Sequence, residues 1–311
     1  MNKKDYRLIF MGTPEIAAFV FESMIQDGYH FVGLIAQSDS PQGRKNILTK
    51  VPTKIVAEKY GIPVFQPEKI RLDYEFVKAL KPDLILTFAY GQIVPQGLLD
   101  IPRLGCLNLH GSILPKYRGA APIQRAIMAG ETKTGITLME MIDKMDAGKM
   151  YARAYVEILP DDNHSTLSLK MARAAAQLIR EKLPLYLLGQ LPGQAQDESL
   201  VTFANKIKPE DEKIALSLSV VACVNYIRAL SEAPGAFLLL NGQKLKIYQA
   251  AYHSSDVGGE LGAIVDTRGG VIVQLHDGQI ALLDVQLEGR KRLKYKDFIN
   301  GQKNLIGSVL S

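Results

Sequence analysis

The feature that most constrains this chain is a series of short, almost wholly apolar runs separated by amphipathic stretches. Residues 7–11 (RLIFM), 31–36 (FVGLIA), 83–88 (DLILTF) and 106–109 (CLNL) are apolar at nearly every position. Strands covered on both faces read this way, and the stretches between them supply the helices that cover them. After the first run, Gly12-Thr13-Pro14-Glu15 offers a capping hydroxyl, a proline at the first helical position and an acid in the first turn. Further helices are expected over residues 53–60 and 72–80, with short strands at 63–65 and 135–142. The alternation predicts an α/β domain, a Rossmann-like doubly wound parallel sheet. The first strand turn has one glycine where a dinucleotide site needs three, so a nicotinamide cofactor is not expected.

The chain has 311 residues, more than one such domain usually takes. A helix ending near Gly189 leads into GQLPGQAQDES, whose composition is that of a linker. A helix over residues 216–230 follows, and then the grammar changes. Asn241-Gly242, Gly258-Gly259, Arg268-Gly269-Gly270 and Asp277-Gly278 punctuate alternating apolar runs, which is the signature of hairpins. The expected organisation is a catalytic domain at 1–189, a linker at 190–204, and a small antiparallel OB-like β-barrel at 205–311.

Composition excludes several classes. The 47% hydrophobic and 22% charged residues are those of a globular protein, not a disordered one. Cys106 and Cys223 lie far apart in apolar runs, which fits buried thiols in a reducing compartment. No window approaches the length of a membrane span, and the residues before the first strand hold no signal-peptide core. A cytoplasmic location with no membrane contact is expected. The five histidines show no metal-binding spacing, so no metal is expected.

The chemistry concentrates in NLHGSILPKYRGAAP, residues 108–122, which begins at the end of an apolar strand. Open α/β sheets bind ligands at that end. Asn108 and His110 are two apart and project to the same side of an extended backbone. Asn offers an N–H to a developing oxyanion, and His can hold or give a proton near neutral pH. A nucleophile is missing: no G-x-S-x-G elbow occurs, and nothing near Cys106 would make it a thiolate. Direct attack by the substrate on an acyl donor is therefore the natural scheme. Capping of a sheet edge is the other reading for Asn108 and His110, and an ordinary Asx-turn is the other reading for Asp146 in KMDAG.

These segments resemble the folate-dependent formyltransferases over nearly the whole chain. HGSILPKYRGAAP is similar to the family signature HGSLLPxYRGAxP, with Ile113 in place of the commoner Leu. The resemblance implies a catalytic trio of Asn108, His110 and Asp146. It implies 10-formyltetrahydrofolate as the donor, seated against Ser112, Ile113, Leu114 and Pro115 with its pterin near the loop from Tyr90 to Val94. MGTPE at residue 11, FAYG at 88 and PGAF at 234 resemble the members whose acceptor is the amine of initiator methionyl-tRNA. The chain departs from the family in having no Trp, where members often carry one near residues 214–217. A relative acting on an amino sugar nucleotide usually has Arg at the position of Ala120. A tRNA-binding relative without catalysis is a third reading, against which the intact trio stands. No obligatory protein partner is evident.

Residues 38–54 form an expected long loop with Arg44, Lys45, Lys50 and Lys54 against one acid. In the tRNA-directed members this position holds a basic insertion that meets the acceptor stem, and Arg44 matches its arginine. Arg290, Lys291, Arg292, Lys294 and Lys296 make a second cluster, expected to track phosphate on the barrel surface. Arg44, Lys45, Arg290, Lys291 and Arg292 are the tRNA contacts this implies.

Overall fold

The computed structural model describes residues 2–42, 47–302 and 304–311. Its contacts divide the chain into two units: Met1–Pro122, Lys133–Glu157 and Ser168–Ala204 in the first, Ile123–Thr132, Ile158–Leu167 and Asn205–Ser311 in the second. Among the described residues no helix is long and apolar enough to cross a membrane.

The strands are β1 (Arg7–Gly12), β2 (His30–Ile35), β3 (Ser40–Gln42), β4 (Ile47–Thr49), β5 (Val64–Phe65), β6 (Leu84–Phe88), β7 (Cys106–His110), β8 (Lys133–Glu140) and β9 (Met150–Glu157). Between and after them run the helices α1 (Glu15–Gln26), α2 (Pro52–Lys59), α3 (Phe76–Leu80), α4 (Gln96–Leu99), α5 (Pro122–Met128) and α6 (His164–Leu187). Seven strands form one sheet in the order β5-β2-β1-β6-β7-β8-β9. The first five are parallel, as the apolar runs require; β8 is antiparallel to β7, and β9 to β8. The sheet is thus mixed. The chain adds strands to one side of β1, then returns to its other side at β6, and such a reversal opens a crevice beyond the strand ends. Thr13 Oγ1 donates to the Tyr90 carbonyl at 3.3 Å and accepts from Gln37 N at 3.2 Å, joining the loops that follow β1, β2 and β6.

Several expectations shift. The loop at 38–54 holds a hairpin, because the β-prone Ile47-Leu48-Thr49 pairs antiparallel with Ser40-Pro41-Gln42. Residues 72–75 precede α3 rather than joining it. The stretch expected to be a linker packs on the first unit: Met150 bridges Gln194, and Arg118 bridges Phe203.

In the second unit, α7 (Val220–Leu230) starts later than expected because Ser219 caps it, its Oγ accepting from Ala222 N at 3.2 Å. Then come β10 (Ala236–Leu240), β11 (Gln243–Ser254), β12 (Ile264–Asp266), β13 (Val271–Leu275), β14 (Gly278–Leu287), β15 (Leu293–Lys294) and α8 (Tyr295–Asn300). The antiparallel order is β10-β11-β14-β13-β12, with β15 on β14. Asn241 and Gly242 have φ of 51° and 79°, the left-handed pair that a tight β10–β11 turn needs. The last residues join the sheet's two edges. Leu310 bridges Leu240 of β10, and Val309 bridges Ala263 just before β12. The core inside this closed sheet includes Ile227, Leu238, Ile247, Val273, Leu282 and Phe298.

Candidate active site

β7 delivers Asn108 and His110 to the crevice end of the first sheet. Asn108 lies beside Thr87 of β6, and His110 opposite Thr137 of β8. His110 is 5% exposed. Its Nε2 is 2.8 Å from the Tyr117 carbonyl, which can only accept, so Nε2 carries a proton. That leaves Nδ1, which faces Asp146 Oδ2 at 3.6 Å. Asp146 has a φ of 49°, an uncommon conformation for a residue with a side chain. Its Oδ2 also accepts from Gly119 N at 2.8 Å. Gly119 is required there: φ is 122°, and a Cβ would meet the Ala204 carbonyl at 2.7 Å. The structure therefore brings His110 and Asp146 together. Among the described residues no hydrogen bond engages the half-buried Asn108 amide. Next to it, Thr87 buries an Oγ1 that has no partner among the described residues.

The segment after His110 is held from below. Thr137 Oγ1 donates to the Ser112 carbonyl at 2.7 Å and accepts from Leu114 N at 3.1 Å. Ser112 Oγ donates to the Lys116 carbonyl at 2.5 Å. Ser112 and Leu114 are fully buried, while Ile113 and Pro115 are half-buried. Tyr90 and Val94 are likewise turned into the core beside Ile9, Met11 and Ile85. Ile93, between them, is the large apolar side chain of that loop that faces out, at 72% exposed. Burial pushes the Cys106 thiol up to about 12, which keeps it from acting as a nucleophile.

Sequence reasoning missed a second layer around Asp146. Arg118 is 1% exposed, the largest fully buried side chain among the described residues. Its Nε and Nη2 donate to Gln196 Oε1 at 3.0 and 2.9 Å, and Nη2 donates to Glu198 Oε1 at 2.7 Å. Gln196 Nε2 donates to the carbonyls of Asp146 and Gly148 at 2.7 and 2.9 Å. Hydrogen bonds from Arg118 and Lys144 hold the Glu198 carboxyl down at about 2. The Arg within the HGSILPKYRG run was the one signal available.

The basic residues fall into different situations. Arg44 and Lys45 lie outside the described residues. Lys54 pairs with Asp39 at 2.5 Å, and Lys50 with Glu58 at 2.8 Å. Arg292 is clamped between Asp284 and Glu232, and its guanidinium lies 4.1 Å from the Tyr248 ring centre. Lys294 also pairs with Asp284, at 2.9 Å. Both serve the β14–β15 edge, because burial alone would raise the Asp284 carboxyl and these cations bring it below the usual range. Arg290, Lys291 and Lys296 are exposed.

Asn108 and His110 at the end of β7 and Asp146 in the turn between β8 and β9 thus gather at one end of the mixed sheet. The chain belongs to the formyl transferase family: residues 6–183 match the formyl transferase domain, and residues 206–303 match the formyl transferase C-terminal domain. More particularly, it is 43% identical over 308 residues to the methionyl-tRNA formyltransferase of Bacillus velezensis, covering 98% of this chain and 97% of the relative. The methionyl-tRNA formyltransferase of Bacillus subtilis is 42% identical, with the same coverage of both chains. Among solved structures, the methionyl-tRNA formyltransferase from Clostridium thermocellum superposes with a TM-score of 0.58 at 19% identity, over 91% of this chain and 98% of that one. HypX from Aquifex aeolicus in complex with tetrahydrofolic acid gives 0.67 at 16%, over 94% of this chain and 46% of that one. At such identities the likeness is one of fold.

Proposed function

We propose that this chain transfers the formyl group of 10-formyltetrahydrofolate to the α-amino group of initiator methionyl-tRNA. The observation that carries the proposal is the pairing of His110 Nδ1 with Asp146 Oδ2 at 3.6 Å beside the unengaged amide of Asn108, in a chain so similar to curated enzymes of that name.

The donor, when bound, supplies the formyl carbon and, in N10, the leaving nitrogen. The residues suit such a ligand: Ile93, Ile113 and Pro115 offer apolar surface, and the orphaned Thr87 Oγ1 offers a polar partner. As the amine nitrogen bonds to the formyl carbon, negative charge grows on the formyl oxygen. Asn108 donates a hydrogen bond to that oxygen, and a protonated His110 adds a second through Nδ1, its Nε2 being committed to Tyr117. Asp146, whose Oδ2 stands 3.6 Å from His110 Nδ1, takes the proton the amine releases, directly or through water. The carbon–N10 bond then breaks, and that proton goes to N10. Formylated amine and tetrahydrofolate result. Residues 1–189 serve this chemistry with 190–204 packed behind, and 205–311 serve tRNA through exposed cations such as Lys291, aided by Arg44 and Lys45.

The test is transfer of labelled formyl from 10-formyltetrahydrofolate by the full chain to methionyl-tRNA or to an amino sugar nucleotide. Rapid labelling of the methionyl-tRNA alone is the expected result. Labelling of the sugar alone, or of neither, overturns the proposal.

A further inference from the structure

We infer that Gln196, braced by Arg118, is a positioning residue that sets where the Asp146 carboxylate stands; this rests on the catalytic role proposed for Asp146. The side-chain amide of Gln196 is saturated. Its oxygen accepts two hydrogen bonds from Arg118, at 3.0 and 2.9 Å, and its nitrogen donates two, to the carbonyls of Asp146 and Gly148, at 2.7 and 2.9 Å. The opposite amide orientation would set NH₂ against guanidinium and oxygen against two carbonyls, so the network admits one arrangement. The two carbonyls belong to the turn that keeps Asp146 at a φ of 49°, a conformation that persists only when its surroundings hold it.

The carboxylate of Asp146 is held by the same segment. Arg118 is followed directly by Gly119, whose N–H donates to Asp146 Oδ2 at 2.8 Å. Asp146 is therefore gripped at its backbone through Gln196, which the Arg118 guanidinium holds, and at its side chain through the Gly119 N–H. Glu198 closes the ring, pairing with Arg118 at 2.7 Å and with Lys144 at 2.8 Å, two residues before Asp146. A buried guanidinium is costly unless its donors are used, and here they are used to hold a catalytic turn. None of these side chains reaches the reacting atoms, so the effect of Gln196 falls on geometry. A displacement of about 1 Å at a catalytic group can cost about a hundredfold in rate.

The experiment measures single-turnover formylation of methionyl-tRNA by Gln196→Met, which keeps volume without hydrogen bonds, and by Gln196→Glu. The glutamate still accepts from Arg118 but cannot donate to the two carbonyls. Each variant is made alone and in an Asp146→Asn background. The expected result is a fall in rate of about tenfold to a hundredfold for both variants, with apparent affinities for both substrates within threefold. In the Asp146→Asn background the added loss should be under about twofold, since coupled residues are not additive. If Gln196→Met fails to fold, Gln196→Glu decides the matter alone. A folded variant with wild-type rate overturns the inference, as does an equal loss with and without Asp146. Wild-type turnover by Asp146→Asn itself would instead sink the proposed role of Asp146.

Discussion

His110 is tied through Nε2 to the carbonyl of Tyr117 at 2.8 Å, so that the nitrogen left for chemistry is Nδ1. Tyr117 stands at a φ of 62°, and its N–H is held by Thr202 Oγ1 at 2.9 Å. The tautomer of His110 is thus set by backbone that the HGSILPKY run itself supplies. Replacing His110 with Ala, or Asn108 with Ala, should lower kcat by about a hundredfold to a thousandfold each, the usual loss for one oxyanion donor. KM for tRNA should change little. Single-turnover rates within a few-fold of wild type would remove both residues from the mechanism.

Asp146→Asn keeps the turn and the Gly119 hydrogen bond, because the amide oxygen can still accept. It removes the charge beside His110 Nδ1. Turnover should fall by at least about a hundredfold while the thermal midpoint stays within a few degrees of wild type. Normal turnover between pH 6 and 9 would reduce Asp146 to a turn residue.

Thr137→Val is nearly isosteric but removes both hydrogen bonds that hold the segment after His110. It leaves the buried Leu114 N–H and Ser112 carbonyl without their partner. A loss of about 1–3 kcal/mol in urea denaturation is expected, with weaker tetrahydrofolate binding. Unchanged stability and unchanged folate affinity together would show that the loop is held by packing alone.

The two kinds of cation near β15 should separate experimentally. Lys291→Ala with Lys296→Ala should flatten the slope of log tRNA affinity against log salt by up to about 1.8 units, and leave stability unchanged. Arg292→Ala should instead destabilise the fold by about 1–2 kcal/mol, because the buried Asp284 loses its bidentate partner. An unaltered salt slope in the lysine double variant would mean that this surface does not meet phosphate.

His164, at the start of α6, is held below the ordinary imidazole range by desolvation of its ring. The folded state therefore disfavours the protonated form, and the unfolded chain binds that proton more readily. Stability is fully present above the unfolded value near 6.5 and falls as pH drops below it, by at most about 1.4 kcal/mol per pH unit. Thermal midpoints of wild type and His164→Gln, compared between pH 7.5 and 5.5, should diverge toward the acid end in favour of the variant. Parallel curves would show that His164 titrates alike in both states.

The sequence by itself determined the apolar strand runs, the Gly-rich turns of the second unit, and the Asn108–His110 pair at a strand end. Each of these is written in residues close together along the chain. Burial of a whole strand, a left-handed turn and a two-residue periodicity all have local signatures. Tertiary structure alone decided which way β8 and β9 run, and how the last residues join the edges of the second sheet. It also turned Tyr90 and Val94 inward, a choice between two faces of a loop with no period to reveal it. The bracing of Asp146 is the clearest case. Gln196 sits 50 residues from Asp146 and 78 from Arg118, in a stretch whose Gly, Pro and Gln content reads as linker. A hydrogen bond across such a distance imposes no pattern on the residues beside it. Only the folded chain, by closing that distance, gives the amide of Gln196 something to hold.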